Sequence, residues 1–123
     1  MIYRSKAPLR LGLAGGGTDV SPFSDEYGGA ILNATISLAA HASIEPLDEK
    51  EILLESLDQK QQQTFACSKE LPINGELDLL KGVYNRISKD YTIPETGFKL
   101  STFVDAPAGS GLGTSSTLVV AII

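Results

Sequence analysis

A chain of 123 residues in which 42% are hydrophobic can close one modest core, so a single domain over residues 1–123 is expected. Its formal net charge of -5 offers no broad basic surface, which excludes nucleic acid as a partner and leaves any anionic ligand to be held by local donors. Cys67 is the single cysteine, which excludes an internal disulfide or a multi-cysteine metal site and fits a reducing cytoplasm; Tyr3-Arg4-Ser5-Lys6 interrupts the N-terminal apolar run, so neither a signal peptide nor a membrane partner is expected.

Residues 1–13 alternate weakly and contain Pro8, which predicts two short strands broken at Ala7-Pro8. Gly15-Gly16-Gly17 forms a loop. Ser21 as N-cap, Pro22 at the first helical position and the early acids Asp25 and Glu26 predict a short helix over 21–27, stopped by Gly28-Gly29. From Ile36 to Glu45 apolar and polar residues alternate as in a half-buried strand, with His41 on the polar side as a satisfied or exposed residue and not a catalytic base. Residues 52–57 and 64–68 read as a hairpin whose turn includes Gln61 to Gln63. Leu77, Leu80, Val83, Tyr84 and Ile87 recur at spacings of three and four, predicting an amphipathic helix over 76–89, closed off by Pro94 and Gly97. Phe98, Leu100 and Val104 then mark a last strand, with Asp105 as a strand-end turn residue or as a group facing a nucleotide. The pattern is α+β, antiparallel-rich, with helices on one side of a sheet.

The segment Pro107-Ala108-Gly109-Ser110-Gly111-Leu112-Gly113-Thr114-Ser115-Ser116-Thr117 runs directly into the apolar stretch Leu118 to Ile123. Alternate glycines let the backbone turn tightly and aim several N–H groups at one point, and the hydroxyl residues after them start a helix. Free amides at a helix N-terminus, with a dipole worth roughly +0.5 charge, suit a phosphate. A Walker A loop is excluded because no lysine follows Gly113. A dinucleotide fingerprint would put its third glycine where Thr114 stands, and a flexible linker would not lead at once into an apolar helix.

Pro107-x-x-x-Gly111-Leu112-Gly113-Thr114-Ser115-Ser116 resembles the phosphate-binding motif of the GHMP small-molecule kinases, and Lys6-Ala7-Pro8-Leu9-Arg10-Leu11-Gly12-Leu13-Ala14-Gly15-Gly16-Gly17-Thr18-Asp19-Val20 resembles their substrate-side motif. Gly16-Gly17 stand where galactokinases carry Glu-His. With Tyr27 to Ala34, the wording is most similar to the branch that holds D-glycero-D-manno-heptose 7-phosphate kinase and the kinase part of L-fucokinase, which phosphorylates sugars at the anomeric hydroxyl. The resemblance implies the GHMP N-terminal fold, like the second domain of ribosomal protein S5. It also implies a cytoplasmic sugar kinase using ATP and Mg2+ on a sugar or sugar phosphate, with a homodimer allowed. Six apolar residues at the end, and a third glycine-rich motif expected in a C-terminal GHMP domain, lead to the expectation of a truncated kinase, inactive alone. The competing reading is a non-catalytic nucleotide- or sugar-binding fragment.

Phosphoryl transfer asks for positioning and charge neutralisation. Pro107, Gly109, Ser110, Gly111, Leu112, Gly113, Thr114 and Ser115 are the candidate nucleotide cradle, with main-chain amides of Gly109 to Thr114 on the phosphates. By resemblance Ser115 ligates Mg2+, against helix capping as the other reading. Arg10, a charge inside an apolar stretch, implies a carboxylate or ligand partner; the resemblance assigns it the transferring phosphoryl group, and a pair with Asp19 is the alternative. Gly16, Gly17, Thr18, Asp19, Gly28 and Gly29 are the candidate sugar site, where Asp19 contacts sugar hydroxyls or makes an Asx turn. In the family the catalytic base commonly comes from the later half.

Overall fold

One sheet organises the molecule, a computed structural model that describes residues 1–93 and 96–123. The elements are β1 (Tyr3–Ala14), α1 (Phe23–Tyr27), β2 (Leu32–Leu47), β3 (Glu51–Ser56), β4 (Gln61–Ala66), α2 (Asp78–Asp90), β5 (Gly97–Val104) and α3 (Thr114–Ile122). The strands lie in the order β1-β2-β5-β3-β4. All neighbours are antiparallel except β3 and β5, which run parallel. The α+β, antiparallel-rich architecture follows the sequence pattern.

Register puts Ala7 and Leu9 of β1, Ala40 and Ala42 of β2, Leu100 and Val104 of β5, and Ile52 and Leu54 of β3 on one face, where they meet Leu80 of α2 and Leu118 and Ala121 of α3. Leu9, Ile52 and Leu54 are completely enclosed, each contributing about 1.5–3 kcal/mol by leaving water. The opposite face is polar. There Lys99 Nζ lies 2.9 Å from Glu55 and Ser101 donates to the same carboxylate at 2.8 Å, so Lys99 foremost, then Ser101, hold Glu55 below the ordinary glutamate range.

Several expectations about local structure are corrected. Residues 3–14 form one continuous edge strand, because Pro8 still pairs with Ala39 and a register shift between Pro8 and Arg10 absorbs the irregularity. β2 begins at Leu32, four residues before the alternation becomes visible. Gln61, Gln62 and Gln63 belong to β4, paired with Ser56, Glu55 and Leu54; the turn comes earlier and uses Lys60 at φ 54°. α1 has Pro22 as its N-cap, and the Ser21 hydroxyl donates to the Asp25 carboxylate instead of capping a backbone amide. Gly97 opens β5, at a point where a Cβ would collide with Glu49 O and Glu51 O. The expected stop at Pro94 lies outside the described residues.

α2 starts at Asp78 after Leu77, whose φ of 51° is left-handed. Asp78 accepts N–H bonds from Asn74 at 3.1 Å and Gly75 at 2.8 Å, and the enclosed Lys81 donates to Asn74 Oδ1 at 2.5 Å beneath this turn. A buried ammonium is tolerable only when so partnered.

Candidate active site

β5 ends at Val104, and the chain reaches α3 through residues 105–113. Gly109, Gly111 and Gly113 take φ values of 79°, 75° and 70°. Left-handed glycines alternating with ordinary residues turn successive amides toward one concavity. A Cβ at Gly109 or Gly111 would meet nothing within 4 Å, so the loop surface is open where a ligand would rest. The half-buried Leu112 packs on the core and roots the loop, while Ser110 N–H donates to Pro107 O at 3.2 Å to close a turn.

Gly113 is the N-cap of α3, and no side chain caps the helix. Thr117 N–H is the first to find an intrahelical carbonyl, that of Gly113 at 3.0 Å, so the amides of Thr114, Ser115 and Ser116 face outward. The side chains of Ser115 and Ser116 are exposed and Thr114 is half-buried. Ser115 therefore makes no capping hydrogen bond.

Arg10 joins this loop. Its N–H donates to Leu112 O at 3.3 Å, and its side chain lies so close to Gly113 that a Cβ there would stand 3.1 Å from Nε and 3.5 Å from Cζ. The guanidinium is not buried, and among the described residues no carboxylate lies within ion-pair distance, so the alternative of a pair with Asp19 does not form. The structure thus brings Arg10 and the glycine loop together, while its neighbours Leu11 and Leu13 are exposed as well.

Four residues beyond Arg10, about 13 Å at the usual strand rise, β1 gives way to the second loop. Thr18 Oγ1 donates to Gly15 O at 2.7 Å and accepts Ala30 N–H at 3.2 Å, so its hydroxyl ties residues 15–18 to the segment that starts β2. Gly15, at φ 74°, and Gly29 permit the approach: a Cβ on either would fall 2.0 Å from a main-chain oxygen, of Ala30 or Thr18 respectively. Gly16, Gly17 and Gly28 face open space, and Asp19 is exposed with no partner among the described residues. Sequence reasoning missed Gly15 and the Ala30 main chain, although a run of three glycines signals close packing as well as flexibility. It also left Asp105 undecided. The carboxylate accepts Ala39 N–H at 2.8 Å and lies 3.4 Å from His41 Nε2, and the Ala39 bond above all holds it below the ordinary aspartate range. His41 is satisfied, as expected.

Residues 78–123 match the family model described as the GHMP kinases N terminal domain. A solved structure titled as a D-glycero-D-manno-heptose 1-phosphate kinase from Bacteriodes thetaiotaomicron superposes on 99% of this chain with a TM-score of 0.92 and 56% identity. The chain carries the N-terminal domain fold of the GHMP kinases. A Campylobacter jejuni protein named D-glycero-alpha-D-manno-heptose 7-phosphate kinase is 47% identical over 120 residues, and a mevalonate kinase of Methanococcus jannaschii, 24% identical with a TM-score of 0.79, shares the fold. The chain spans 35% of the Campylobacter protein and 40% of the Bacteriodes one. Among the described residues, no helix of this chain is long and apolar enough to cross a membrane, and no cluster of three or more His, Cys, Asp or Glu could hold a metal ion.

Proposed function

We propose that this domain is the nucleotide- and sugar-binding half of a cytoplasmic, ATP-dependent sugar kinase of the heptose phosphate type. The observation that carries the proposal is the seating of the Arg10 guanidinium, without an ion-pair partner among the described residues, against Gly113 at the mouth of a helix with free amides, on a strand that leads into the Gly16–Asp19 loop. Donors for a polyphosphate, a charge for the transferring group and an exposed polar loop for the acceptor follow one another along one edge.

Amides of Gly109 to Thr114 hold the phosphates of ATP, with Pro107 and Ser110 fixing the turn and Leu112 anchoring it. Arg10 stabilises charge on the γ-phosphoryl oxygens as the bond from Pγ to the bridging oxygen breaks and the sugar hydroxyl oxygen bonds to Pγ, leaving ADP with the bridging oxygen and releasing the hydroxyl proton to solvent. Mg2+ fits this site, since an exposed Ser115 hydroxyl, phosphate oxygens and water form the hard oxygen set that the ion prefers; when bound it neutralises charge across the phosphates. Asp19 accepts from sugar hydroxyls, while Gly16, Gly17 and Gly28 leave room for the ring and Thr18 with Gly29 sets the loop's shape.

No lysine or arginine occurs between Leu11 and Glu49, so this loop is built to read hydroxyls. The acceptor is taken to be the anomeric hydroxyl of a heptose 7-phosphate. A coupled ADP-release assay with Mg-ATP tests this, using heptose 7-phosphate, heptose 1-phosphate, fucose and galactose. Heptose 7-phosphate should turn over and heptose 1-phosphate, whose anomeric oxygen is blocked, should not. Turnover of the 1-phosphate would contradict the anomeric assignment, and ATP binding without turnover of any sugar would favour a binding fragment.

A further inference from the structure

The β2–β5 ladder ends at Ala40 and Val104, yet the main chain stays attached for one residue more. Asp105 N–H donates to Ala39 O at 2.9 Å, the bond expected of a continuing antiparallel pair. The reciprocal bond is not made by the carbonyl of residue 105. Ala39 N–H is taken instead by the Asp105 side chain, at 2.8 Å to Oδ2. A carboxylate has replaced a ladder carbonyl, and the main chain after it is free to leave the sheet at Ala106 and enter the glycine loop. His41, on the same face of β2, lies 3.4 Å from the same oxygen, and Lys6 of β1 pairs with His41 in register.

Ala39 is a node. It is fully enclosed, and its partner in β1 is Pro8, two residues before Arg10. The loop is thereby fastened to the Arg10-bearing strand twice: at its root through Asp105, Ala39 and Pro8, and near its tip through Arg10 N–H to Leu112 O at 3.3 Å. Fixing both ends sets the height of the open amides relative to the guanidinium. We propose that Asp105 is a positioning residue for the phosphate loop, its side chain standing in for a ladder carbonyl so that the loop leaves β5 in register with Arg10. The proposal deepens the nucleotide-site reading and rests on it for its kinetic consequence.

Asp105→Ala and Asp105→Asn separate the roles in the complete protein. The amide oxygen of asparagine can accept Ala39 N–H, so Asp105→Asn should keep the ATP KM within about twofold of the parent. Asp105→Ala, which leaves that enclosed N–H unpaired, should raise the ATP KM about tenfold with the sugar KM unmoved. Hydrogen exchange of residues 106–113 gives the second readout: faster in Asp105→Ala, parental in Asp105→Asn. Unchanged exchange and unchanged ATP KM in Asp105→Ala would overturn the proposal. So would an Asp105→Asn variant as impaired as Asp105→Ala, since charge and not the ladder substitution would then be at work. If the parent protein neither binds nor uses ATP, the kinase reading fails while exchange still decides whether Asp105 orders the loop.

Discussion

Replacing Gly113 by alanine perturbs two quantities that the structure lets one separate. At φ 70° a side chain occupies the left-handed region, which costs about 1–2 kcal/mol relative to glycine. The new methyl would also stand 3.1 Å from Arg10 Nε, so the guanidinium must move by a few tenths of an ångström. Gly109→Ala is the control, since φ is 79° there and a Cβ meets nothing within 4 Å. Both variants should lose similar stability, a fall in Tm of about 4–8 °C read by thermal melting at fixed protein concentration. Only Gly113→Ala should also lower kcat by displacing the charge at the reacting phosphoryl group, by about tenfold, given that a 1 Å misplacement can cost 10²-fold. Steady-state assays of the complete protein with saturating Mg-ATP and heptose 7-phosphate read it. Equal kcat in the two variants, at equal fractions folded, would refute the placement of Arg10 over the loop.

Arg10→Ala should leave the fold almost intact, because among the described residues the guanidinium has no ion-pair partner, while kcat drops on the order of 10²-fold to 10³-fold; circular dichroism and initial rates check both halves. Thr18→Val removes the hydroxyl joining Gly15 and Ala30, so the sugar KM should rise with the ATP KM unmoved, at a stability loss of about 0.5–1.5 kcal/mol measured by urea unfolding. For Asp105 the folded carboxylate lies below its ordinary range, chiefly through the Ala39 bond, so its stabilisation is complete above about pH 4 and is lost as pH falls through the folded value. Melting curves between about pH 5 and 2 should therefore show a steeper acid loss for the parent protein than for Asp105→Asn.

Much of this was legible because glycine spacing and hydrophobic period are local signals. The glycine loop, α3, the α2 stripe and the β3–β4 hairpin follow from residues within a dozen positions of one another. Tertiary pairing was not legible. β2 extends back to Leu32 because β1 lies beside it, and Gln61 to Gln63 are held in β4 by Leu54, Glu55 and Ser56, on an edge strand that tolerates polar residues. The parallel pairing of β3 with β5 joins segments far apart in the chain and leaves no mark in either. At the site, the sequence placed Arg10 near a charge but not against Gly113, and a carboxylate replacing a ladder carbonyl has no pattern of its own.

An amide-resolved titration of the isotopically labelled protein with Mg-ATP tests the central claim most directly. Chemical shifts of Gly109 to Ser115 and of the Arg10 Nε–H should move together and saturate with one dissociation constant. Movement confined to the polar face of the sheet, with the loop amides unshifted, would contradict it.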